Sequence, residues 1–425
     1  MQAQLQPTSR SARVPSRSGS VQGGARITKW WLEKSLGERF WRFLAASFLF
    51  DSGMFIFFLL YNLYLLDLGF HEDFLGWTTS AMTFGAIVGS LPCGWFAHRF
   101  NLRNSLLVCL CLVPTLSALR AAFSSADALI VLAFLAGLVS SLWAVAVPPV
   151  VAQITNEGNR DFGFSVVFAS GIGFGALAGM VGGHLPGWLY FLSCAHNPIG
   201  AKRAALLVAC GVSALALFPA SKLKLSSAAA GGKRHYPQND FVKRYFPALA
   251  AWSFATGAFS PFFNAYFSEH LRMPIERIGG LFAGAQIAQV VAILLAPALF
   301  RKCGLVTGIM FTQFACAFGL VWLASVSGLR SSAAAYATFT GFQWMSEPGM
   351  YTLLMSRVRR EEQAGASALS LLVISAARAI SAAAAGLGFV RFGYPAVMVA
   401  VSLAILASGA VFGLLLRSHP PPIKR

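Results

Sequence analysis

Long apolar runs separated by short polar segments make up most of this chain. Each run holds about 20 residues or more, which is the length an α-helix needs to cross the hydrocarbon core of a bilayer. The runs are 41–66, 75–97, 104–123, 127–152, 163–183, 202–220, 245–268, 278–299, 304–327, 332–356, 364–388 and 394–416. This pattern predicts an all-α integral membrane protein with twelve transmembrane helices.

One polar stretch, 221–244, is longer than the others and divides the runs into six and six. It is rich in Ser, Gly and basic residues, a composition typical of a flexible linker. We therefore expect one six-helix half at 29–220 and a second at 245–417, joined by a cytoplasmic linker. The ends, 1–28 and 418–425, are expected to be cytoplasmic tails, the first of them disordered.

The first 40 residues leave two questions open. Residues 1–28 are rich in Ser and Arg and contain no Asp or Glu, which suits a disordered tail or an organelle transit peptide but not a secretory signal. In residues 29–40, aromatic and basic side chains alternate. That segment is either an amphipathic helix in the membrane interface or an extension of the first transmembrane helix.

The distribution of charge predicts the orientation. Only 11% of the residues are charged, yet the net charge is +18. With the N-terminus inside, 25 Lys and Arg residues fall on the inner side and 7 on the outer side, Arg120 among the latter. Basic loops mark the cytoplasmic side. We expect a multi-pass protein of the cell (inner or plasma) membrane, with the lipid bilayer as its surroundings and both termini cytoplasmic. No nucleic-acid partner is expected, because the basic residues lie between apolar runs.

The two sets of six runs repeat each other. At a shift of about 203 residues Asn101 aligns with Gly304, and at about 199 residues Pro149 aligns with Pro348. Many transporters are built from such paired halves. The repeat therefore favours a transporter built from two related half-domains.

The segment between the second and third runs carries a family resemblance. It reads Gly94-Trp-Phe-Ala-His98-Arg99-Phe-Asn101-Leu-Arg103 and resembles the signature of the major facilitator family, Gly-x-x-x-Asp-Arg-x-Gly-Arg-Arg. Three residues match, Gly94, Arg99 and Arg103. His98 stands where the family has Asp, and Asn101 where it has Gly.

Other segments extend this resemblance over roughly 40–417. The segment from Pro148 to Arg160 resembles the loop between helices 4 and 5, and the segment from Pro261 to Tyr266 is similar to helix 7 of bacterial members. The resemblance implies a major facilitator fold, with two six-helix half-domains related by a pseudo-two-fold axis. It also implies a monomer without a cofactor, in which helices 1, 4, 7 and 10 line a cavity for a small-molecule substrate.

His98 puts one property of the family in question. In the family, the signature Asp helps to latch the two halves together on the cytoplasmic side through charge pairs. A histidine either weakens that latch or makes it sensitive to pH, because imidazole titrates near neutrality. The alternative is a neutral change in a loop.

Three ionisable residues fall within the apolar runs, where charge is expensive and often functional: Asp51, Glu347 and Arg378. Asp51 lies well inside the first run, and apolar surroundings penalise its charge unless it is paired. Asp51 is therefore a candidate proton carrier. The alternative is a structural ion pair, or a hydrogen bond to Ser52 and its neighbours.

Glu347 and Arg378 lie on consecutive runs near mid-membrane, so they can neutralise each other. Such a pair is either structural or is broken and remade by protons or substrate during a transport cycle. Both residues are candidates for proton coupling. Pro348 predicts a kink beside the charge.

Polar and aromatic side chains within the runs are candidates for lining the substrate cavity. They are Asn62, Gln153, Asn264, Gln286, Gln289, Gln343 and Trp344. Gln286 and Gln289 share one helix face. Each of these polar residues also suits a hydrogen bond between helices.

The fifth run contains Gly171, Gly175, Gly179 and Gly183, four residues apart. This spacing forms a smooth ridge that lets a neighbouring backbone approach. The stretch 178–183 resembles a degraded form of the antiporter motif of drug exporters, Gly-Pro-x-x-Gly-Gly, without its Pro. The resemblance favours export.

These features predict a secondary active transporter that moves a small organic solute by alternating access, coupled to protons and directed toward efflux. The alternatives are uptake or facilitated transport of a sugar or an organic acid, and a non-transporting receptor or scaffold. An enzyme is not expected, because the sequence contains no His-Glu-x-x-His, Gly-x-Ser-x-Gly or phosphate-loop motif. The Cys and His residues lack metal-ligand spacing, so no metal is expected.

Overall fold

The computed structural model describes residues 36–70, 72–192, 197–225, 236–259, 262–263, 266–273 and 275–416. These ranges are almost entirely α-helical and contain no β-strand. The two predicted tails and the middle of the predicted linker lie outside them, as does most of segment 29–40.

Twelve long helices follow one another along the described chain. They are α1 (Glu38–Asp67), α2 (Glu72–Phe100), α3 (Leu102–Ala122), α4 (Ala126–Ile154), α5 (Arg160–Phe191), α6 (Pro198–Leu215), α7 (Asp240–Gly257), α8 (Ile275–Cys303), α9 (Leu305–Ser325), α10 (Leu329–Arg357), α11 (Arg360–Phe389) and α12 (Arg391–Leu416). Each apolar run corresponds to one of these helices, so the all-α, twelve-helix prediction is confirmed.

Ten of the described helices are long and apolar enough to cross a membrane, and the two others are α7 and α10. α7 has 18 described residues and begins with charged ones. α10 carries Gln343, Ser346 and Glu347 in its interior, and all three are buried within the protein. Protein therefore covers these polar groups, and α10 tolerates them because they do not face lipid.

The seventh run is less regular than expected. The sequence pattern predicts one helix over 245–268, whereas α7 ends at Gly257 and the described residues near the end of this run form a π-helical turn, Tyr266–His270. Glycine disfavours a helix, which suits Gly257 to the end of α7.

The last two helices join almost without a loop. α11 and α12 form one helical path, Gln363–Leu416, that breaks at Gly393. The φ of Gly393 is 73°, a backbone conformation that glycine adopts readily and other residues rarely do.

Within each set of six, the helices pack closely on one another, and one continuous cluster of buried apolar residues extends through both sets. In the N-half (α1–α6), α2 packs along α4, and α1 packs against α5 and α6. In the C-half (α7–α12), α10 packs against α8 and α9, and α7 packs against the α11–α12 pair. Glycines set the closest crossing, since Gly85 and Gly89 of α2 and Gly137 of α4 each face main-chain atoms of the other helix.

The basic loops lie at one end of the helix bundle. There Arg103, at the start of α3, donates a hydrogen bond of 2.6 Å to the carbonyl of Ser221, which follows α6. Asn239, before α7, donates one of 3.2 Å to the carbonyl of Arg357 at the end of α10. We call this end, where the odd-numbered helices begin, the basic face, and the opposite end the outer face.

The backbone reproduces the internal repeat. Asn101, between α2 and α3, has φ 75° and ψ 140°. Gly304, at the aligned position between α8 and α9, has φ 81° and ψ 153°. Each is the N-cap of the helix that follows, so the same turn joins the corresponding helices of the two halves.

Arg120 corrects one expectation from the sequence. It was counted with the outer loops, but it lies in the last turn of α3 and is only 3% exposed. Its guanidinium carbon is 4.2 Å from the ring centroid of Tyr61 and 5.6 Å from that of Phe57. The aromatic faces attract the cation, so Arg120 is a buried cation in addition to the three ionisable residues that the sequence predicted within the helices.

Candidate functional site

The two halves meet at the basic face. Gly94, near the end of α2, packs on α11 so closely that a Cβ atom there would lie 2.6 Å from the Cβ of Ala368. Tyr351 of α10 packs on Phe164 and Phe168 of α5, with ring centroids 6.1 and 5.5 Å apart. These contacts close the space between the halves at this end.

A central cavity of about 580 Å³ lies between the halves. The closed end borders this cavity, because Phe164, Phe168 and Tyr351 belong to its lining. Its walls come from α1, α4, α5, α8 and α10. Most of the lining is aromatic or aliphatic, with a few polar groups among them. This combination and this volume are typical of sites for small organic molecules.

Asp51 is the one carboxylate among the described residues that line the central cavity. It is half-buried near the middle of α1 and forms no ion pair or hydrogen bond with any described residue. Phe55 and Trp143 stand beside it in the lining. Such a carboxylate can bind a proton or a cation, because nothing in its described surroundings already compensates its charge.

Glu347 and Arg378 face each other next to the cavity. Arg378 Nη2 lies 3.6 Å from Glu347 Oε1, and the Arg378 side chain is 41% exposed while that of Glu347 is 10% exposed. Trp344 and Tyr351, about one turn before and after Glu347, both line the cavity. The ion pair therefore adjoins the cavity wall. Glu347 depends on its partner more than Arg378 does, because a buried carboxylate needs a nearby cation to compensate its charge.

The structure brings four of the predicted residues together in the central cavity. Asp51 on α1, Gln286 and Gln289 on α8 and Trp344 on α10 all belong to its lining.

The other predicted polar residues lie elsewhere. Asn62 is exposed on α1, Gln343 is buried within α10, and Gln153 has a buried side-chain amide near the end of α4. None of these three belongs to the described lining of the cavity. Asn264 lies outside the described residues.

The glycine ridge of α5 has a different neighbour from the expected backbone. A Cβ atom at Gly175 would meet the ring of Phe55 at 2.9 Å, and one at Gly171 or Gly183 would meet no atom within 4 Å. Gly171 and Gly175 line the central cavity. The absence of side chains at these positions leaves room for Phe55 and for the cavity itself.

The signature loop lies at the basic face, beside the contact between the halves. Gly94 makes that contact, and Arg103 ties α3 to the end of α6. Asn101 accepts a hydrogen bond of 3.5 Å from the main-chain N–H of Arg103. His98 is half-buried near the end of α2, and Arg99 is exposed. The role of His98 in a latch stays a prediction.

Sequence reasoning missed the aromatic floor of the cavity, Phe164, Phe168 and Tyr351. The spacing of Phe164 and Phe168 places them on one face of α5, and this could have indicated a shared partner. Nothing in the sequence indicates that the partner is a residue of the other half.

The sequence matches the family model described as Major Facilitator Superfamily over residues 43–382. The match spans most of the chain and includes the signature loop, the lining of the cavity and the Glu347–Arg378 pair. The chain therefore belongs to the major facilitator superfamily. This is a family of membrane transporters and not of enzymes, as the sequence predicted. The chain matches no curated protein sequence.

Several solved structures share the fold. The human organic anion transporter MFSD10 (TETRAN) has a TM-score of 0.70 at 14% identity, over 88% of this chain and 99% of that one. The E. coli fucose:proton symporter FucP has a TM-score of 0.67 at 13% identity, over 90% and 98%. A bacterial homologue of the iron transporter ferroportin, in an outward-facing state, has a TM-score of 0.67 at 14% identity, over 88% and 98%. Identities this low establish the fold and leave the substrate open.

Proposed function

We propose that this protein is a proton-coupled secondary transporter that moves a small organic solute by alternating access, in the direction of efflux. The observation that carries the proposal is Asp51, a carboxylate without a described partner in the cavity between the halves. Protonation changes the charge that a bound solute meets there. Proton and solute binding can therefore bias the same equilibrium between two states of the protein.

The proposal includes the orientation and the oligomeric state. The halves touch at the basic face, and the excess of Lys and Arg in the loops favours a cytoplasmic position for that face. The structure would then be the outward-facing state of a monomer in the cell membrane, with both termini in the cytoplasm. The outward-facing ferroportin homologue shares this fold.

The direction of transport rests on the likeness of segment 178–183 to the antiporter motif. Uptake is the alternative, and one protein of the same fold is a fucose:proton symporter. A receptor or scaffold is the alternative of another class. Asp51 opposes it, because a partnerless charge within the membrane destabilises a protein that does not use it.

Purified protein in liposomes that hold a pH-sensitive dye tests the proposal with a panel of sugars, amino acids, organic acids and organic cations. We expect a solute-dependent proton flux that is lost in Asp51→Asn. The matched control is Asp127→Asn, an exposed acid at the start of α4, which should behave like the wild type. Movement of solute without protons in the wild type would contradict the coupling.

Imposed pH gradients test the direction without knowledge of how the protein inserts. Exchange of solute for protons predicts that liposomes with an acidic interior accumulate solute. Accumulation driven by an acidic exterior would establish symport and overturn the efflux assignment.

A further inference from the structure

A second cavity lies on the other side of Asp51. It has a volume of about 220 Å³ and is lined by residues of α1, α2, α3 and α4 within the N-half. Asp51, Phe55 and Trp143 line both this side cavity and the central cavity. These three side chains therefore form the boundary between the two spaces, and the carboxylate stands at their junction.

Apart from this boundary and the hydroxyl of Ser140, the side cavity is lined by apolar side chains. Its other lining residues are Phe50, Met54, Phe58, Met82, Val113 and Ser140. An apolar cavity of about 150 Å³ in another protein accommodates benzene, so this one is large enough for an aromatic ring. The two methionines are flexible and polarizable and make favourable contacts with rings. The chemistry of the walls therefore selects an aromatic or aliphatic group.

The charges around the two cavities leave one negative charge without compensation. Arg378 neutralises Glu347 at 3.6 Å, whereas Asp51 pairs with no described cation. The buried Arg120 lies against the ring of Tyr61 and lines neither cavity. A bound cation would complete the charge balance, and a bound anion would meet repulsion in a partly desolvated space.

We propose that the substrate is an organic cation with two apolar arms on its charged centre. The charged centre binds Asp51, the smaller arm enters the side cavity, and the larger arm lies in the central cavity. The boundary residues Phe55 and Trp143 are aromatic, and aromatic rings attract a cation. This inference rests on the proposed function in taking the central cavity as the transport site.

Three small probes separate charge from shape. Dibenzyldimethylammonium is a cation with two aromatic arms, benzyltrimethylammonium is a cation with one, and dibenzyl phosphate is an anion with two. We expect calorimetric titration of the protein in nanodiscs, without a pH gradient, to show that the two-armed cation binds about tenfold or more tightly than the one-armed cation, since burial of a ring is worth at least that much. The anion should bind at least about tenfold more weakly than its cationic counterpart.

Two variants locate the arms. Asp51→Asn should weaken both cations about tenfold or more. Val113→Phe fills the side cavity from α3 and should reduce the two-armed cation to the affinity of the one-armed cation, which should itself be unchanged. The matched control is Leu112→Phe, the adjacent residue, because Leu112 is 41% exposed whereas Val113 is 3% exposed. If Val113→Phe does not fold, Met82→Phe fills the same cavity from α2.

Three outcomes would overturn the inference. In the first, the anion binds as tightly as the two-armed cation. In the second, the advantage of the second arm survives filling of the side cavity. In the third, native mass spectrometry shows that Val113→Phe displaces a lipid while cation binding is unchanged, which makes the side cavity a lipid site. Proton flux is a separate readout: the predicted binding pattern without flux contradicts only the proposed coupling, and flux with indiscriminate binding of the probes contradicts only this inference.

Discussion

Asn101 occupies a backbone conformation that suits glycine. Its φ of 75° and ψ of 140° lie in a region that residues with a Cβ atom rarely enter, and Gly304 adopts nearly the same angles in the other half. The hydrogen bond from the N–H of Arg103 to the Asn101 side chain is long, at 3.5 Å, and is therefore weak. The departure from the family signature at this position is therefore expected to lower stability.

Exchange of the two residues between the repeats tests this expectation. We expect Asn101→Gly to stabilise the protein by about 1 kcal/mol and Gly304→Asn to destabilise it by a similar amount. The measurement is the temperature at which heating removes the peak of the folded, purified protein in size-exclusion chromatography. If Asn101→Gly lowers that temperature, the contacts of the Asn101 side chain outweigh the backbone strain.

The Glu347–Arg378 pair should respond unequally to removal of its two members. Arg378→Gln leaves a buried carboxylate without its cation and is expected to cost about 1–3 kcal/mol. Glu347→Gln leaves an arginine that is 41% exposed and can be hydrated, so it is expected to cost less than about 1 kcal/mol. The same heating assay measures both variants.

The double variant Glu347→Gln with Arg378→Gln is the control for this pair. It should recover most of the stability lost in Arg378→Gln, because the buried carboxylate is then also replaced by a neutral amide. Equal losses in the two single variants would mean that the pair does not act through the buried carboxylate.

At the residue scale, hydropathy found the important charges but not every residue that lines the cavity. Asp51 and Glu347 stand out in the sequence because charge is rare in apolar runs. Asn62 and Gln343 stand out in the same way, yet one is exposed and the other is buried within its half. A polar residue in a spanning helix is recognisable because a polar group is costly within the membrane. The sequence does not show which way it faces, because the rotation of each helix depends on packing with its neighbours.

At the element scale, glycine spacing shows the same limit. The regular ridge of α5 predicts close packing, but its described glycines face Phe55 or open space. The closest helix crossing is that of α2 and α4, where Gly89 has no side chain against Leu138 and Ser141. The spacing of glycines identifies a smooth helix surface. Which neighbouring group packs on that surface depends on the arrangement of the helices in the fold.

The crossing of α2 and α4 gives a prediction for a single methyl group. A Cβ atom at Gly89 would lie 2.7 Å from both the Leu138 carbonyl oxygen and Ser141 Oγ. We therefore expect Gly89→Ala to force the helices apart and destabilise the protein by about 1–3 kcal/mol. The matched control is Gly211→Ala on α6, where a Cβ atom would meet nothing within 4 Å.

The control should move in the opposite direction. Alanine favours a helix over glycine by about 1 kcal/mol, so Gly211→Ala should raise the melting temperature or leave it unchanged. If both variants were stabilising, the α2–α4 crossing would have to be looser than the structure indicates.

The helices themselves were predictable from the sequence because the bilayer imposes their length and composition. All twelve runs became helices, and the repeat of Asn101 and Gly304 marked equivalent turns. Two details were not predictable. The charge of Arg120 predicts a loop position, but its side chain packs on aromatic rings of α1. The end of α7 at Gly257 depends on a local choice between helix and turn that mean hydropathy does not register.

At the scale of the whole molecule, the linker takes part in the contact between the halves at the basic face. Besides the packing of Gly94 on Ala368, the hydroxyl of Tyr236 in the linker donates a hydrogen bond of 2.8 Å to the carbonyl of Leu91 on α2. Burial raises the pKa of Tyr236 above its ordinary value, so its hydroxyl stays protonated and able to donate at physiological pH. Tyr236 therefore ties the segment that leads into the C-half to a helix of the N-half.

Removal of this tie should shift the protein toward the state that is open at the basic face. Tyr236→Phe keeps the ring and loses a hydrogen bond worth about 1 kcal/mol, which is about a fivefold change in the ratio of the two states. The distance between spin labels on Asn104 and Ser356, both exposed near the basic face on opposite halves, reports that ratio, with the exposed native cysteines replaced. We expect the population at longer distance to grow.

Tyr190→Phe is the matched control because Tyr190 is 54% exposed near the end of α5, and it should leave the distances unchanged. An unaltered distribution in Tyr236→Phe would show that helix packing alone closes this face, and the linker would then connect the halves without influencing their equilibrium.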